Sequence, residues 1–192
     1  MIKGCKMYQE KSKNKTNIFV KDCITKALFN LLEKKDFENI TISEIIKKSG
    51  VSRMGFYRNY KTKENVIETF IQDKFFETLN EIKDERKLNF QTPNIMLTTL
   101  KNFQKFSDYI KLFLNRNLEG LLYNCYHKAF YYLYHNDKQS RIREYSIQMF
   151  IGELFNLEIT WLKKGMKETP EQLTKIYYRI LKLRYNEQIK LK

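Results

Sequence analysis

The chain contains few of the residues that interrupt helices, with only two prolines and six glycines among its 192 residues. Apolar residues recur three and four positions apart along most of the sequence, which is the spacing of amphipathic helices. The strict two-residue alternation that is typical of strands is missing. The sequence therefore predicts an all-α fold.

Cysteine and histidine are scarce too, which limits the chemistry to be expected. Cys5, Cys23 and Cys125 lack the close spacing of a zinc site or a redox pair. His127 and His135 are eight residues apart, too far for the i, i+4 ligand pair of a helical metal site. No nucleophile with a base and no glycine-rich phosphate loop can be found. We therefore expect no metal, no cofactor, no catalytic residue and no enzyme.

Long apolar runs are missing, since no stretch approaches the roughly 18 apolar residues of a membrane span. The polar N-terminus also lacks the apolar core of a signal peptide. These two absences predict a cytoplasmic protein.

Acidic residues are outnumbered, because the chain has 36 basic and 22 acidic residues. Residues 1–63 hold 15 of the basic residues but only 6 of the acidic ones, so the excess is largest towards the N-terminus. Clustered positive charge fits binding to a polyanion, although a charged face is more often simply solvated. Residues 1–15 have no apolar run and are expected to be a basic disordered arm, which either follows DNA or is a solvated tail.

A helix-turn-helix is predicted within residues 41–63. Thr41 and Glu44 have the spacing of a capping box, in which each side chain binds a backbone N–H group at the start of a helix. Gly50 can adopt the positive φ that ends this helix, and Ser52 can cap the next one. Two helices joined so closely meet at the sharp turn that this motif requires.

The second helix of the pair is predicted to read DNA. At about 100° per residue, Phe56 and Tyr60 share one side and are expected to lie in the core. Met54 and Arg58 point nearly the opposite way, and Arg53 lies in the first turn, where recognition helices meet base edges.

Three further residues suggest contacts with the DNA backbone. The hydroxyl of Tyr57 is placed to reach a phosphate. A glycine at position 55 costs about 1 kcal/mol relative to alanine, which indicates close approach to the backbone unless sequence drift explains it. Lys63 follows the capping residue Thr62 in the first turn of the next helix, a favourable seat for phosphate.

Several of these residues occur together in one known family. They are the capped helix, Gly50-Val51-Ser52, Phe56-Tyr57, Tyr60, Thr62-Lys63-Glu64 and Val66-Ile67. With them, residues 18–70 resemble the N-terminal signature of TetR-type (TetR/AcrR) transcriptional regulators. Gly55 and Asn59 depart from the usual pattern, which has a small hydroxyl residue or alanine at the first position and histidine or tyrosine at the second.

The resemblance implies a domain organisation and a set of DNA contacts. We expect the arm at residues 1–15, a three-helix DNA-binding head at 16–74, and a larger helical bundle for effector binding and dimerisation at 75–192. The implied base contacts are Arg53, Met54 and Arg58. The implied contacts with the DNA backbone are Thr41, Ser43, Gly55, Tyr57, Asn59 and Lys63.

The resemblance also implies two sites in the C-terminal bundle. An effector pocket is expected at Phe103, Phe106, Tyr123, Tyr126 and Trp161, with ordinary core packing as the alternative. Members of the family dimerise through their last two helices, which implies an interface of Ile147, Ile151, Leu154, Leu173, Ile176 and Ile180. A pair of helices buried within one chain is the alternative.

The function that follows is a ligand-responsive transcriptional repressor that binds a palindromic operator as a homodimer. Its expected partners are double-stranded DNA, a second copy of the chain and an unknown small-molecule effector, without a membrane. Two other functions stay open. One is a coactivator of the same fold that acts through a protein partner without operator recognition, and the other is a basic helical protein that docks on anionic membranes.

Overall fold

A computed structural model of the chain describes residues 15–81, 92–134 and 141–190. These ranges contain eight α-helices, one short 3-10 helix and no strand, which confirms the predicted all-α fold. The helices are α1 (Lys15–Leu32), α2 (Ile42–Ser49), α3 (Arg53–Asn59), α4 (Lys63–Glu81), α5 (Pro93–Leu114), α6 (Glu119–Tyr134), α7 (Arg141–Lys163) and α8 (Pro170–Lys190), with the 3-10 helix at Phe37–Asn39. The predicted arm, apart from Lys15, lies outside the described residues, as do Cys5 and His135.

The chain forms two compact units, which we call the head and the body. The head holds the described residues up to Phe75 together with Leu112–Cys125, and the body holds those of Phe76–Lys111 and Tyr126–Lys192. The chain therefore passes from one unit to the other within α4, within α5 and again within α6. The sequence prediction had assigned Leu112–Cys125 to the C-terminal domain.

An aromatic core joins the two segments of the head. Phe113, which is fully buried, lies with its ring centroid 5.4 Å from that of Phe29 and 6.3 Å from that of Phe70. The rings of Phe29 and Phe70 are 4.9 Å apart in an edge-to-face arrangement. Such pairs contribute about 0.5–1.5 kcal/mol beyond the area they bury, so this cluster ties Leu112–Cys125 to α1 and α4.

Arg116, in the turn after α5, binds the C-terminal end of α1. Its Nε donates to the Leu32 carbonyl at 2.5 Å and its Nη2 donates to the Glu33 carbonyl at 2.7 Å. Its Nη1 also donates to Asp36 Oδ1 at 3.2 Å. The last carbonyls of a helix lack partners within the helix and carry partial negative charge, so a guanidinium group is well suited to this position.

The body has its own core, to which α7 contributes nine buried residues. Its buried side chains include Ile147, Ile151, Leu154 and Leu162, which recur at helical spacing. Tyr177 Oη donates to Glu153 Oε2 at 3.1 Å and so holds α8 beside α7. No helix in the described ranges is long and apolar enough to cross a membrane.

Candidate nucleic-acid interface

The helix before the turn, α2, begins with the predicted capping box. The Glu44 N–H donates to Thr41 Oγ1 at 3.2 Å, and the Thr41 N–H donates to Glu44 Oε2 at 2.8 Å. Lys35 Nζ donates to the other carboxylate oxygen of Glu44 at 2.5 Å. These bonds, that of Lys35 first, lower the pKa of Glu44 to about 2, so the cap is charged at any ordinary pH.

The turn between α2 and α3 has the predicted backbone geometry. Gly50 adopts φ +68°, the left-handed conformation that glycine reaches without strain, and its N–H donates to the Ile46 carbonyl at 3.1 Å. Ser52 then caps α3, because its Oγ accepts the Gly55 N–H at 3.0 Å. The orientation of α3 is thus set by bonds within a few residues.

The glycine at position 55 has a reason inside the chain. A Cβ built there would lie 2.7 Å from Val51 Cγ1, closer than normal packing allows, and 3.2 Å from Ser52 Oγ, which is tight. The close approach that the sequence indicated is therefore that of Val51. No approach of DNA is needed to explain this glycine.

The recognition helix α3 has the predicted division into an anchored and an outward side. Phe56 is fully buried and Tyr60 is 4% exposed, so both are core residues. Met54, at 72% exposed, lies on the outward side with Arg53 and Arg58. The helix is held by its buried aromatic residues while its cationic side faces solvent.

The outward side chains make few contacts with the rest of the head. Arg53 Nη2 donates to Ser43 Oγ at the long distance of 3.4 Å, and Arg58 Nη2 lies 3.9 Å from Met54 Sδ. Ser43 is exposed, and Tyr57 is 51% exposed. These five residues, predicted to contact bases or phosphates, are accessible to a second molecule.

The composition of α3 is unfavourable for an isolated helix. It has Arg53 and no acidic residue in its first turn, where the positive end of the helix dipole favours an anion by roughly 0.3–1 kcal/mol. Gly55 and Asn59 are also weak helix formers. Lys47, Lys48 and Lys61 are exposed nearby in sequence. This composition favours binding of an anion over stability of the free helix.

Three of the predicted contacts with the DNA backbone use polar groups inside the chain. The Thr41 hydroxyl donates to Glu44 Oε2 at 2.9 Å, and the Gly55 N–H is bound by Ser52. Asn59 Nδ2 donates to the Gly55 carbonyl at 2.8 Å. Phosphate contacts by Thr41, Gly55 and Asn59 stay predictions that would compete with these bonds.

Lys63, the fourth such residue, has an internal role that the sequence did not predict. Its Nζ donates to the carbonyls of Phe37 at 2.6 Å, Ile40 at 2.8 Å and Glu38 at 3.1 Å. It also lies 4.5 Å from the centroid of the Phe37 ring. All three ammonium hydrogens are thereby used, so Lys63 ties the start of α4 to the segment between α1 and α2. Its phosphate contact stays a prediction.

The structure separates the five candidate effector residues. Phe103 and Trp161 are buried in the body with ring centroids 6.3 Å apart, and Trp161 Nε1 donates to the Glu168 carbonyl at 3.1 Å. Phe106 is half-buried in the body, whereas Tyr123 is exposed and belongs to the head. Two of the five residues therefore have core roles, and one lies in the other unit.

The fifth candidate, Tyr126, leads to a residue that the sequence analysis missed. Its Oη donates to Glu158 Oε2 at 2.6 Å, and Glu158 is fully buried. Burial raises the pKa of Glu158 to about 8 and, with the Glu158 charge, raises the pKa of Tyr126 well above its usual value. Glu158 lies in the apolar stripe of α7 between Leu154 and Leu162, and this acidic interruption was the available signal.

A groove of about 390 Å³ also opens on the body, but none of the predicted aromatic residues lines it. Six of its eight lining residues are polar or charged, and they include the exposed ion pair of Lys101 with Glu171 at 2.8 Å. The residues around it are Lys101, Gln104, Met166, Lys167, Glu168, Thr169, Pro170 and Glu171.

The expected dimer interface needs a correction. Ile147, Ile151, Leu154 and Leu173 are buried within the chain, where a second molecule cannot reach them. They lie on the sides of α7 and α8 that pack in the core of the body. Ile176 and Ile180 are more than 40% exposed and stay available. The other exposed apolar residues of these helices are Ile142, Tyr145, Met149 and Leu183.

In the described part of the chain, no group of three histidine, cysteine or acidic side chains could hold a metal ion. His127 Nε2 lies 2.7 Å from Gln148 Oε1, and its ring stacks on Tyr131. Cys23 and Cys125 form no disulfide with each other or with any other described residue.

Comparison with known proteins identifies the two parts of the chain. Residues 24–69 match the family of bacterial regulatory proteins named tetR, and residues 91–183 match a family described as a transcriptional regulator C-terminal region. Over 75 residues the chain is 33% identical to the uncharacterized HTH-type transcriptional regulator YxbF of Bacillus subtilis. That match covers 38% of this chain and 20% of YxbF, so it spans only a fifth of the relative.

Solved structures with the same fold cover most of the chain. Lin0861 from Listeria innocua has a TM-score of 0.72 at 17% identity and covers 88% of this chain and 93% of its own. A TetR transcriptional regulator from Streptococcus agalactiae has a TM-score of 0.53 at 23% identity, with 88% and 96% covered. These likenesses show a shared fold. The two family matches, which together span more than half of the sequence, assign the chain to the TetR family of transcriptional regulators, with a helix-turn-helix DNA-binding domain followed by a C-terminal helical domain.

Proposed function

We propose that the chain is a homodimeric, ligand-responsive repressor that binds a palindromic operator through two copies of the head. The observation that carries this proposal is the outward side of α3, where Arg53, Met54 and Arg58 are exposed while Phe56 and Tyr60 anchor the helix. The protein then acts in the cytoplasm on DNA, without a catalytic step of its own.

In this proposal Arg53 and Arg58 read base edges and Tyr57 positions the head on the phosphates. Replacing either arginine with alanine should cost about 1–3 kcal/mol of operator binding and relax sequence preference. Replacing Tyr57 with phenylalanine should weaken binding to all duplexes similarly, because only a backbone contact is lost. Gel-shift titrations against operator and random duplex at several salt concentrations measure both effects.

Lys164→Ala is the matched control, since Lys164 is an exposed cation in the turn between α7 and α8. It should leave operator affinity unchanged. If a double variant of Arg53 and Arg58 binds operator as the parent chain does, the assignment of the reading face is lost.

The proposed dimer uses the exposed apolar residues of α7 and α8. Ile142, Tyr145 and Met149 are 80%, 69% and 66% exposed and lie on one side of α7. Ile176, Ile180 and Leu183 form a similar exposed side on α8. An apolar surface of this kind on a soluble protein marks an interface, and a second copy fits because one seven-residue recognition helix covers few base pairs.

A charge on this surface tests the dimer. Met149→Glu should convert the protein to a monomer in light-scattering measurements and weaken operator binding as well. Phe19→Glu is the control, because Phe19 is 68% exposed but lies in the head. A Met149→Glu protein that stays dimeric excludes this surface.

Effector response requires a link between the body and the head. The helix α4 runs from the head into the body, and α5 and α6 also cross between the two units. An effector that fits one conformation of the body better would favour that conformation and act on the heads through these helices. The distance between the two heads would then no longer match the spacing of successive major grooves, which is roughly 34–36 Å.

A coactivator without operator recognition is the second candidate, because Thr41, Gly55, Asn59 and Lys63 already use polar groups internally. In the gel shift, a coactivator would show no preference for its own upstream DNA over random duplex. Binding to anionic liposomes in the presence of competing DNA would instead favour the membrane-docking function.

A further inference from the structure

Glu158 is an unusual residue for its position in the body. It is fully buried, and its Oε1 has no hydrogen-bond partner among the described residues, whereas its Oε2 is bound by Tyr126. A buried polar group without a partner costs roughly 1–3 kcal/mol, and more when it is charged. An aliphatic side chain in this stripe would avoid that cost, so the carboxyl group needs an explanation other than packing.

Aromatic rings accompany the hydroxyl that binds Glu158. The Tyr126 ring centroid lies 5.5 Å from that of Phe155 and 5.9 Å from that of Phe130. Phe130 in turn lies 6.0 Å from Phe150. The faces of such rings attract cations, and a carboxyl group beside them adds a negative charge. A buried carboxyl group that is bound to one ring of an aromatic cluster, and that has one oxygen without a donor among the described residues, is suited to a hydrophobic cation.

We propose that Glu158 and these rings form the effector site, and that the effector is a hydrophobic molecule whose protonated amine donates to Glu158 Oε1. The proposal rests on the ligand-responsive function proposed above. An amine supplies the donor that Oε1 lacks, whereas a carboxylate effector would place two acceptors against each other. Tyr126 is only half-buried, so the site has a side towards the surface.

The proposed site buries no net charge, either without the ligand or with it. Because burial raises the pKa of Glu158 to about 8, the empty chain holds the proton near neutral pH and no unpaired charge is buried. When the ammonium group binds, the carboxyl group releases that proton to solvent and the two opposite charges are buried together.

The position of Tyr126 connects this site with the head. Tyr126 is the first residue of the body within α6, and the preceding part of the same helix, Glu119–Cys125, belongs to the head. A ligand bound beside Tyr126 therefore acts on a helix that continues into the DNA-binding unit. Through this continuous helix, binding of the effector changes the affinity for the operator.

The test uses the full chain and three probes of one shape: naphthylmethylamine, naphthylmethanol and naphthylacetate. Each is titrated while the melting temperature is measured, because a ligand that binds only the folded state raises it. We expect the amine to raise the melting temperature most and the acetate least. Glu158→Gln should weaken binding of the amine at least about tenfold, which corresponds to about 1.4 kcal/mol.

Glu153→Gln is the matched control, since Glu153 lies on the same helix and also accepts a tyrosine hydroxyl, that of Tyr177. It should keep the response to the amine. Tyr126→Phe is a second variant, which removes the bond to Oε2 but keeps the ring and the carboxyl group, so it should reduce the response to the amine less than Glu158→Gln does.

Three results would overturn the proposal. They are equal stabilisation by all three probes, no stabilisation of the parent chain by the amine, and an amine response that persists in Glu158→Gln. Operator binding is measured separately without probe. Its absence would refute the proposed function and leave the amine result standing, whereas a failed amine response with intact operator binding refutes the effector site alone.

Discussion

The head and the body each contain a glutamate whose surroundings shift its pKa, and the two shifts have opposite directions. Glu44 lies near the surface of the head, where hydrogen bonds from Lys35 and Thr41 lower its pKa to about 2. Glu158 lies in the core of the body, where burial raises its pKa to about 8. The same side chain is a charged cap in one unit and a neutral buried acid in the other.

The difference separates two uses of a carboxyl group. In the head, each oxygen of Glu44 has a donor from the chain, so its charge strengthens the start of α2 and the contact with Lys35. In the body, one oxygen of Glu158 has no donor within the described ranges of the chain. A complete set of partners indicates a structural role, and an incomplete set in a buried place indicates a partner from outside.

The largest expected effect is on the pH dependence of stability at Glu158. The unfolded chain releases this proton near pH 4.5 and the folded chain near pH 8, so the free energy of unfolding falls as the pH rises between these values. Glu158→Gln cannot ionise and should be more stable than the parent chain at pH 9, by on the order of a few kcal/mol, but not at pH 4.

Urea unfolding at both pH values measures this difference. Glu153→Gln again serves as the control, because it also replaces a carboxyl group of α7 that accepts a tyrosine hydroxyl. If the free energies of unfolding of the parent chain and Glu158→Gln change in parallel between pH 4 and pH 9, the contrast between the two glutamates is removed.

A second effect concerns how the head holds Leu112–Cys125. Arg116→Ala removes three hydrogen bonds to the end of α1 and should lower the free energy of unfolding by about 2 kcal/mol. The free energy of unfolding of Arg116→Lys should lie between those of the parent chain and Arg116→Ala. An ammonium group lacks the planar set of N–H donors that the guanidinium group offers.

Chemical denaturation followed by circular dichroism is the measurement for Arg116. Lys111→Ala is the control, since Lys111 makes only an exposed pair with Asp108 at 3.4 Å and its loss should change little. If Arg116→Ala is as stable as Lys111→Ala, the segment is held by its aromatic contacts alone.

A smaller effect is expected at the cap of α2. Thr41→Ala removes the acceptor for the Glu44 N–H and should cost about 1 kcal/mol, whereas Thr41→Ser should keep the cap. The contribution of Glu44 is present above pH 4.5 and is lost as the pH falls towards 2, the reverse of the dependence at Glu158. Thermal melts at pH 7 and at pH 2.5 compare the variants. If Thr41→Ala and Thr41→Ser have the same melting temperature, the cap is dispensable.

The smallest effect is at Gly55 and depends on its neighbour. In the parent chain, Gly55→Ala should raise the free energy of unfolding little, because the new methyl group would lie 2.7 Å from Val51 Cγ1. In a Val51→Ala background the same change should stabilise by up to about 1 kcal/mol, the helix-propensity difference between the residues. A double-mutant cycle of unfolding free energies measures the coupling, and a value near zero would mean that Val51 does not explain the glycine.

The sequence predicted the head well because its signals are local. The capping box of Thr41 and Glu44, the turn at Gly50 and the cap at Ser52 each connect residues no more than four positions apart. Pro93 and Pro170, which are the first residues of α5 and α8, follow the same kind of local rule, because proline suits the first position of a helix. The outward direction of Met54 and Arg58 followed from helical periodicity alone.

The predictions that failed or were incomplete depend on distant residues. Lys63 binds carbonyls 23 to 26 positions away, which no spacing rule indicates. The two apolar sides of α7 look alike in sequence, and only packing decided that Ile147 faces the core and Met149 faces solvent. Glu158 was visible as an acid in an apolar stripe, but its partner Tyr126 lies 32 positions away.

The sequence by itself determined the helices, their caps and the excess of positive charge around the recognition helix, because these depend on residues within a turn or two of each other. Only the tertiary structure decided that Leu112–Cys125 belongs to the head, which side of α7 is covered, and that Glu158 is neutral. Those outcomes depend on which helices pack together, and packing sets the burial and the hydrogen-bond partners from which a pKa or an interface arises.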